Sequence, residues 1–111
     1  MTSTTIFTTS KNLAVPRTLS LEKRRGKGRV LLDSQTIFYP DWQAQLQTVF
    51  QFVRKFFGTD LHSDFLISVN SKAVSGWSTS VPLFLLFASS ITGEKLPENV
   101  YSTGCMFSPD G

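Results

Sequence analysis

The sequence predicts an α+β fold in which a small β-sheet packs against two apolar helices. Three observations support this prediction. A chain of 111 residues favours a single domain. Hydrophobic residues make up 41 % and charged residues 17 % of it, a composition unlike that of disordered tails and coiled coils. Segments of β-strand character alternate with two of helical character, and ten phenylalanines and two tryptophans can fill the core between them.

The N-terminal third has the pattern of short strands. Residues 4–9 are rich in threonine and favour a strand. Over residues 13–21 hydrophobic side chains recur loosely at alternate positions, as in a strand with one buried face. A charged segment then reaches a Gly-Lys-Gly turn at 26–28, and a short strand follows at 29–32. We expect residues 19–24 and 29–32 to pair as a hairpin across this turn.

The clearest helix opens at Pro40-Asp41-Trp42. Asp41 is predicted to be the N-cap, because its carboxylate can accept hydrogen bonds from the free N–H groups of the first turn. Apolar residues then recur at helical spacing and should face the core; they are Trp42, Leu46, Val49, Phe50, Val53 and Phe57. Polar residues are expected mainly on the opposite side; they are Gln43, Gln45, Gln47, Gln51 and Arg54. Gly58 is expected to end the helix.

The second half of the chain predicts a strand, a loop, a helix and a last strand. Residues 64–70 are mostly hydrophobic and β-branched, which favours a buried strand, and the polar residues 71–80 favour a loop. Residues 79–92 are apolar nearly all round, so we expect a helix packed between layers. Pro82 suits its first turn and Gly93 its end. Residues 100–107 are the last strand candidate.

Charge is distributed unevenly along the chain. The first 29 residues contain seven basic residues and one acidic residue, whereas the rest contains four basic and seven acidic residues. The first 21 residues lack acids and are rich in Ser and Thr, as organelle transit peptides are, but a solvated β-hairpin is the simpler interpretation. We therefore divide the chain into a Ser/Thr-rich segment, 1–12, and a domain, 13–111. We expect a cytoplasmic protein, with the organelle matrix as the alternative.

Several kinds of site are excluded by composition. The single cysteine, Cys105, cannot form an internal disulfide or a multi-cysteine zinc site, and the single histidine, His62, leaves few ways to build a metal centre. No phosphate-binding loop for ATP is present. The longest apolar run, residues 81–88, is far shorter than the roughly 20 residues that cross a bilayer. We expect no cofactor or metal on this chain and no membrane span.

The segment Ser75-Gly76-Trp77-Ser78-Thr79-Ser80 leads into the apolar helix. A serine at a helix N-terminus lies near free N–H groups and the positive end of the dipole, which would support a developing oxyanion and make Ser78 a candidate nucleophile. The alternative is that Ser78 simply caps the helix. His62 and Lys72 are the candidate bases nearest in sequence, and nothing in the sequence places either beside Ser78.

Residues 13–111 resemble the proteolytic domain of Lon-type ATP-dependent proteases. Gly76-Trp77-Ser78 stands where that family has its Gly-Pro-Ser-Ala-Gly box, and Thr92-Gly93 closes the following helix. Ser102-Thr103-Gly104 matches the next motif at the family's spacing. Upstream, Gly26-Lys27-Gly28 resembles the family's Gly-Lys-Gly turn before a strand. The resemblance implies the small α+β fold of that domain, which belongs to a superfamily that also includes ribosomal proteins. It also implies that the domain is truncated at its C-terminus in this chain.

The resemblance also implies roles for individual residues. Ser78 matches the nucleophile of a Ser-Lys dyad that hydrolyses peptide bonds, and Thr103, Gly76 and Trp77 match positions that support the active site. The sequence departs from the family where Trp77 replaces Pro and Cys105 replaces Glu. No lysine follows Lys95, so the dyad lysine is expected beyond the end of this chain and the chain is expected to be incomplete as an enzyme.

The implied partners follow from the same resemblance. They are peptide or protein substrates, an AAA+ ATPase module in cis or in trans that alone would use ATP, and further copies of the chain in a homo-oligomer.

The alternative to a peptidase is a non-catalytic α/β module that retains the fold for binding or assembly. A weaker third hypothesis, nucleic-acid binding through the basic N-terminal region, is not favoured, because no aromatic stacking partners are interleaved with the basic residues.

Overall fold

The computed structural model describes residues 2–10, 13–58, 62–77 and 79–94. These residues form six strands and two helices within the described ranges. In chain order the elements are β1 (Thr2–Ser10), β2 (Leu13–Arg25), β3 (Val30–Leu32), β4 (Ile37–Phe38), α1 (Pro40–Phe57), β5 (Ser63–Val69), β6 (Ala73–Val74) and α2 (Ser80–Thr92). The predicted last strand, 100–107, lies outside the described residues.

Four strands form a mixed sheet in the order β1-β2-β5-β3. The β1–β2 and β2–β5 pairs are antiparallel, whereas β3 runs parallel to β5. The two-residue strands β4 and β6 pair separately and in parallel, inside segments for which the sequence predicted no strand. The predicted α+β fold with a small sheet and two helices is therefore confirmed.

The expected hairpin between β2 and β3 is wrong, because β5 lies between these two strands. The glycines that were assigned to a tight turn instead bind the start of β5. Gly26 N donates to the carbonyl oxygen of His62, and Gly28 N donates to that of Ser63, each at 3.0 Å. Residues 26–28 thus cross the N-terminal end of β5, which lies between β2 and β3, and they do not form a hairpin turn.

The N-terminal residues form the predicted β-hairpin, in which β1 pairs with β2 over its full length from Thr2 to Ser10. The hairpin is not merely solvated, since Ile6 is only 1 % exposed and belongs to the hydrophobic core. Leu19 and Leu21 of β2 are fully buried on the same face of the sheet. The loose alternation over 13–21 therefore identified the buried face correctly.

The first helix, α1, differs from its prediction at two residues. It begins at Pro40 with Tyr39 as N-cap, so the assignment of Asp41 as N-cap is wrong. Proline lacks an N–H and has a helical φ, which suits the first helical position and moves Asp41 into the first turn. Gln45 was expected on the polar side but is completely buried. The apolar stripe itself is confirmed, and α1 ends before Gly58.

The second helix, α2, follows its prediction closely. It spans Ser80–Thr92, and no residue before Thr92 in it is fully exposed. Gly93 ends it, with its N–H donating to the carbonyl oxygen of Ser89 at 2.9 Å. The Lys23 ammonium of β2 donates to the carbonyl oxygen of Ser90 at 3.3 Å, where a cation stabilises the negative end of the helix dipole.

Aromatic rings join the two layers. Phe50 of α1 and Phe87 of α2 both contact Phe65 of β5, with ring centroids 6.0 and 5.3 Å apart respectively. Both helices therefore pack on one face of the sheet. Phe38, Phe50, Phe65 and Phe87 belong to the core, whereas Phe7, Phe52 and Phe56 are exposed. Neither described helix has the length and hydrophobicity needed to cross a membrane.

Candidate functional site

The candidate site is the loop between β6 and α2, which contains the serine box of the sequence analysis. Gly76 and Trp77 of that box are described, whereas Ser78 and Thr103 lie outside the described residues, as does Cys105. The residues on either side of Ser78 are held to α1 by two side chains, Asp41 and Gln45.

Asp41 connects the first turn of α1 to the serine box. One carboxylate oxygen accepts a hydrogen bond from the Gly76 N–H at 2.8 Å, and the other accepts from the Trp42 N–H at 2.8 Å. Gly76 has φ of +87°, a conformation that L side chains rarely adopt, so glycine is suited to this position. Asp41 therefore fixes the loop before Ser78.

Gln45 holds the loop after Ser78. Its amide nitrogen donates to the Thr79 hydroxyl at 2.5 Å, and its amide oxygen accepts from the Thr79 N–H at 3.0 Å. The Ser80 hydroxyl also lies 3.0 Å from that oxygen. All three residues are buried. Both hydrogen-bonding ends of one buried amide are thus used to fix the entry to α2.

These contacts decide how the N-terminus of α2 is capped. The N-cap is Thr79 and not Ser78, and the Thr79 side chain makes no capping hydrogen bond because it faces Gln45. The Thr79 N–H is already taken by Gln45, and Pro82 has no N–H. The backbone at these two positions therefore offers no N–H to an oxyanion, and oxyanion support would come from other donors around the box.

Neither candidate base is placed beside the box. His62 lies just before β5, past the C-terminal end of α1. Asp41 and Gln45 hold the box at the N-terminal end of α1. The 18 residues of α1 separate these two ends by about 27 Å. Lys72 is exposed and lines a cavity with Arg17, Thr36 and Asn70, which does not include the box. Neither His62 nor Lys72 therefore lies next to the serine box, and the carboxylate that does, Asp41, is held by the Gly76 and Trp42 N–H groups.

A cavity of about 190 Å³ adjoins the box. It is lined by residues 6–8 of β1, Trp42 of α1, both residues of β6, Ser75 and Thr79. It lies between the edge strand β1, the start of α1 and the loop before α2, and Ser75 of the box lines it. None of these described lining residues is charged.

A second polar centre lies at the start of β5 and is structural. The Asp64 carboxylate accepts from the Lys27 and Arg29 N–H groups at 3.0 and 2.9 Å and forms an ion pair with the Arg29 guanidinium at 2.8 Å. The guanidinium first, and then these two backbone donors, hold the pKa of Asp64 well below its usual value. Asp64 thereby organises the Gly-Lys-Gly segment that the sequence assigned to a hairpin turn.

Sequence reasoning missed Asp41 and Gln45 as groups that position the box. Gln45 stands among other glutamines of α1, and no spacing marks it as buried. Asp41 was predicted to be the N-cap of α1 and not a residue that holds the box. The described residues include no group of three or more His, Cys, Asp or Glu side chains that could hold a metal ion.

Comparison with known proteins adds no assignment. No protein-family model matches the chain, and no curated protein shows significant similarity to it.

Proposed function

We propose that the chain is a Lon-like serine endopeptidase domain in which Ser78 is the nucleophile. A lysine that is not among these 111 residues would act as general base. The observation that supports the proposal most is the double attachment of the box to α1. Asp41 binds Gly76 on one side of Ser78, and Gln45 binds Thr79 on the other. A nucleophile needs such a fixed backbone, because a small misplacement costs much of the rate.

The proposed reaction is ordinary serine acyl transfer. The Ser78 hydroxyl attacks the peptide carbonyl carbon while its proton passes to the lysine. The C–N bond then breaks, the lysine returns the proton to the leaving amine, and water hydrolyses the acyl-enzyme. Substrate proteins would be delivered by an AAA+ ATPase module, in cis or in trans, and ATP would be used there and not on this chain.

Labelling with a fluorophosphonate tests the nucleophile. Without the lysine, donors that support the oxyanion should still leave Ser78 a residual reactivity. We therefore expect one slow adduct on the folded chain, located at Ser78 by peptide mass spectrometry and absent from Ser78→Ala. Ser75→Ala is the matched control, because Ser75 is exposed in the same loop and should not affect labelling. An adduct that persists in Ser78→Ala, or the absence of any adduct, would reject the proposal.

A non-catalytic binding module is the second candidate function. It is favoured by one observation: the described residues place neither His62 nor Lys72 at the box, while an uncharged cavity lies beside it. In that case Asp41 and Gln45 serve only to shape the cavity wall. If the fluorophosphonate does not label Ser78 and a ligand binds in the cavity, the chain is a binding module and not a peptidase.

A further inference from the structure

Trp42 has an unusual environment in the first turn of α1. It is completely buried, yet its indole N–H is one of two buried side-chain groups that lack a hydrogen-bond partner among the residues that the structure describes. Buried tryptophan N–H groups generally find a hydrogen-bond partner, because leaving one unpaired in a protein interior is costly. The ring packs on Phe38 at 5.0 Å, which fixes its position but offers no acceptor.

Three polar groups of residues close to Trp42 in the fold are engaged elsewhere. The carbonyl oxygen of Phe38 accepts from the Gln43 side chain at 2.7 Å, and that of Val74 accepts from the Tyr39 N–H at 3.1 Å. The Gln45 amide is used by Thr79 and Ser80. Trp42 does, however, line the cavity of about 190 Å³ beside the serine box. A molecule in that cavity is the natural source of the missing acceptor.

We propose that this cavity binds a small neutral carbonyl compound whose oxygen accepts a hydrogen bond from the Trp42 indole N–H. The size of the ligand follows from the volume, since a cavity of about 150 Å³ holds a benzene molecule. A space of about 190 Å³ therefore accommodates roughly six to eight non-hydrogen atoms. A ketone or primary amide of that size is the expected class.

The lining argues for a neutral ligand. Ile6, Val74 and Ala73 provide apolar contacts, while Thr8 and Thr79 provide hydroxyl groups. None of the described residues that line the cavity is charged, so an ionic ligand would lose its hydration without gaining a counter-charge from them. The Thr79 oxygen already accepts from Gln45, and its own proton can serve as a second donor to the ligand.

The test is a titration of the full chain followed by NMR of the two tryptophan indole N–H groups. Cyclopentanone is the probe, and methylenecyclopentane has the same shape with CH₂ in place of the oxygen. Spectra of Trp42→Phe and Trp77→Phe assign the two signals. We expect the ketone to move the Trp42 signal downfield in a saturable manner, whereas the alkene should produce no such shift. No movement of the Trp42 signal at the highest soluble ketone concentration would overturn the proposal.

Two variants make the test specific. Trp42→Phe should weaken ketone binding about tenfold more than alkene binding, since the smaller ring affects both ligands whereas the lost donor affects only the ketone. Ala73→Leu should fill the cavity and abolish binding while the indole remains, and Ala14→Leu on the exposed part of β2 is its matched control. Unchanged ketone affinity in Ala73→Leu would place the ligand elsewhere and reject the site, even if Trp42→Phe fails to fold.

The proposed site does not depend on catalysis. Ser78→Ala should bind cyclopentanone as the unmodified chain does, whatever the result of fluorophosphonate labelling. Loss of labelling and loss of ketone binding are therefore separate outcomes, one bearing on the nucleophile and the other on the cavity.

Discussion

At the residue scale, Gln45 shows how one buried amide can determine the path of a distant loop. It lies in the second turn of α1 and bonds residues more than thirty positions later in the chain. Nothing in the sequence distinguishes it from Gln43 or Gln47, because the pattern of polar residues carries no information about a partner that only the fold supplies.

Removal of this amide should destabilise the fold. In Gln45→Ala the Thr79 N–H and the Ser80 hydroxyl lose a buried acceptor, and we expect the free energy of unfolding to fall by about 3 kcal/mol. Urea denaturation measures this loss. Gln47→Ala, on the exposed side of the same helix, should change stability by less than about 0.5 kcal/mol. Equal effects of the two substitutions would show that the Gln45 network contributes nothing.

Asp64 should give the chain an acid-dependent stability. Its pKa is lowered in the folded state by Arg29 and the Lys27 N–H, so the unfolded chain binds the proton more readily. The stabilisation is complete above the unfolded pKa of about 3.9 and is lost progressively as the pH falls below it.

Urea denaturation at several pH values tests this prediction. Between about pH 5 and pH 2 the unmodified chain should lose more stability than Asp64→Asn, which lacks this titration. Arg29→Gln keeps the backbone donors and should lie between the two. An identical pH dependence in Asp64→Asn and the unmodified chain would contradict the account.

At the element scale, the segment between β2 and β3 shows why a local turn pattern was misleading. Two glycines close together favour a hairpin, but strand order is decided by long-range contacts that a local pattern does not contain. The helices, by contrast, were predicted almost to their ends, because apolar spacing, Pro82 and the terminal glycines act locally.

Gly26 is required here for space. A Cβ at this position would lie 2.2 Å from Cγ of Asp64, whose carboxylate is held by its donors and cannot move aside cheaply. We expect Gly26→Ala to cost about 2–3 kcal/mol in the free energy of unfolding. Gly93→Ala is the comparison: its Cβ meets nothing within 4 Å, and its left-handed conformation should cost about 1 kcal/mol. A smaller loss at Gly26 than at Gly93 would contradict this packing.

At the scale of the whole molecule, the outer side of the helix layer carries an aromatic patch made of Phe52, Phe56, Phe57 and Phe84. Phe84 of α2 has its ring centroid 5.6 to 6.4 Å from the other three rings. Phe56 is 67 % exposed, which is unusual for a ring in a cluster. Exposed apolar patches of this kind favour association between molecules.

We therefore expect the chain to self-associate through the aromatic patch. Sedimentation velocity should show a concentration-dependent increase in mass, and Phe56→Ser should shift the distribution towards monomer. Leu13→Ser is the matched control, because Leu13 is 69 % exposed but lies at the start of β2, outside the patch. A monomer at all concentrations, or an equal effect of the two substitutions, would count against this surface.

The site was less predictable from the sequence than the fold. The serine box could be recognised from its own residues, as could the helix that follows it. The anchoring side chains and the cavity could not, because Asp41, Gln45 and Trp42 meet the box only after α1 packs against α2. A motif is continuous in sequence, whereas the groups that position it are not.

The most direct test of the central claim compares labelling rates at Ser78. The folded chain, the urea-unfolded chain and a synthetic peptide of residues 73–82 are treated with the same fluorophosphonate. If the box is held for catalysis, the folded chain should form the Ser78 adduct about a hundredfold faster than the other two, as preorganised donors typically allow. Equal rates in all three would mean that the fold does not activate this serine, and the peptidase proposal would be wrong.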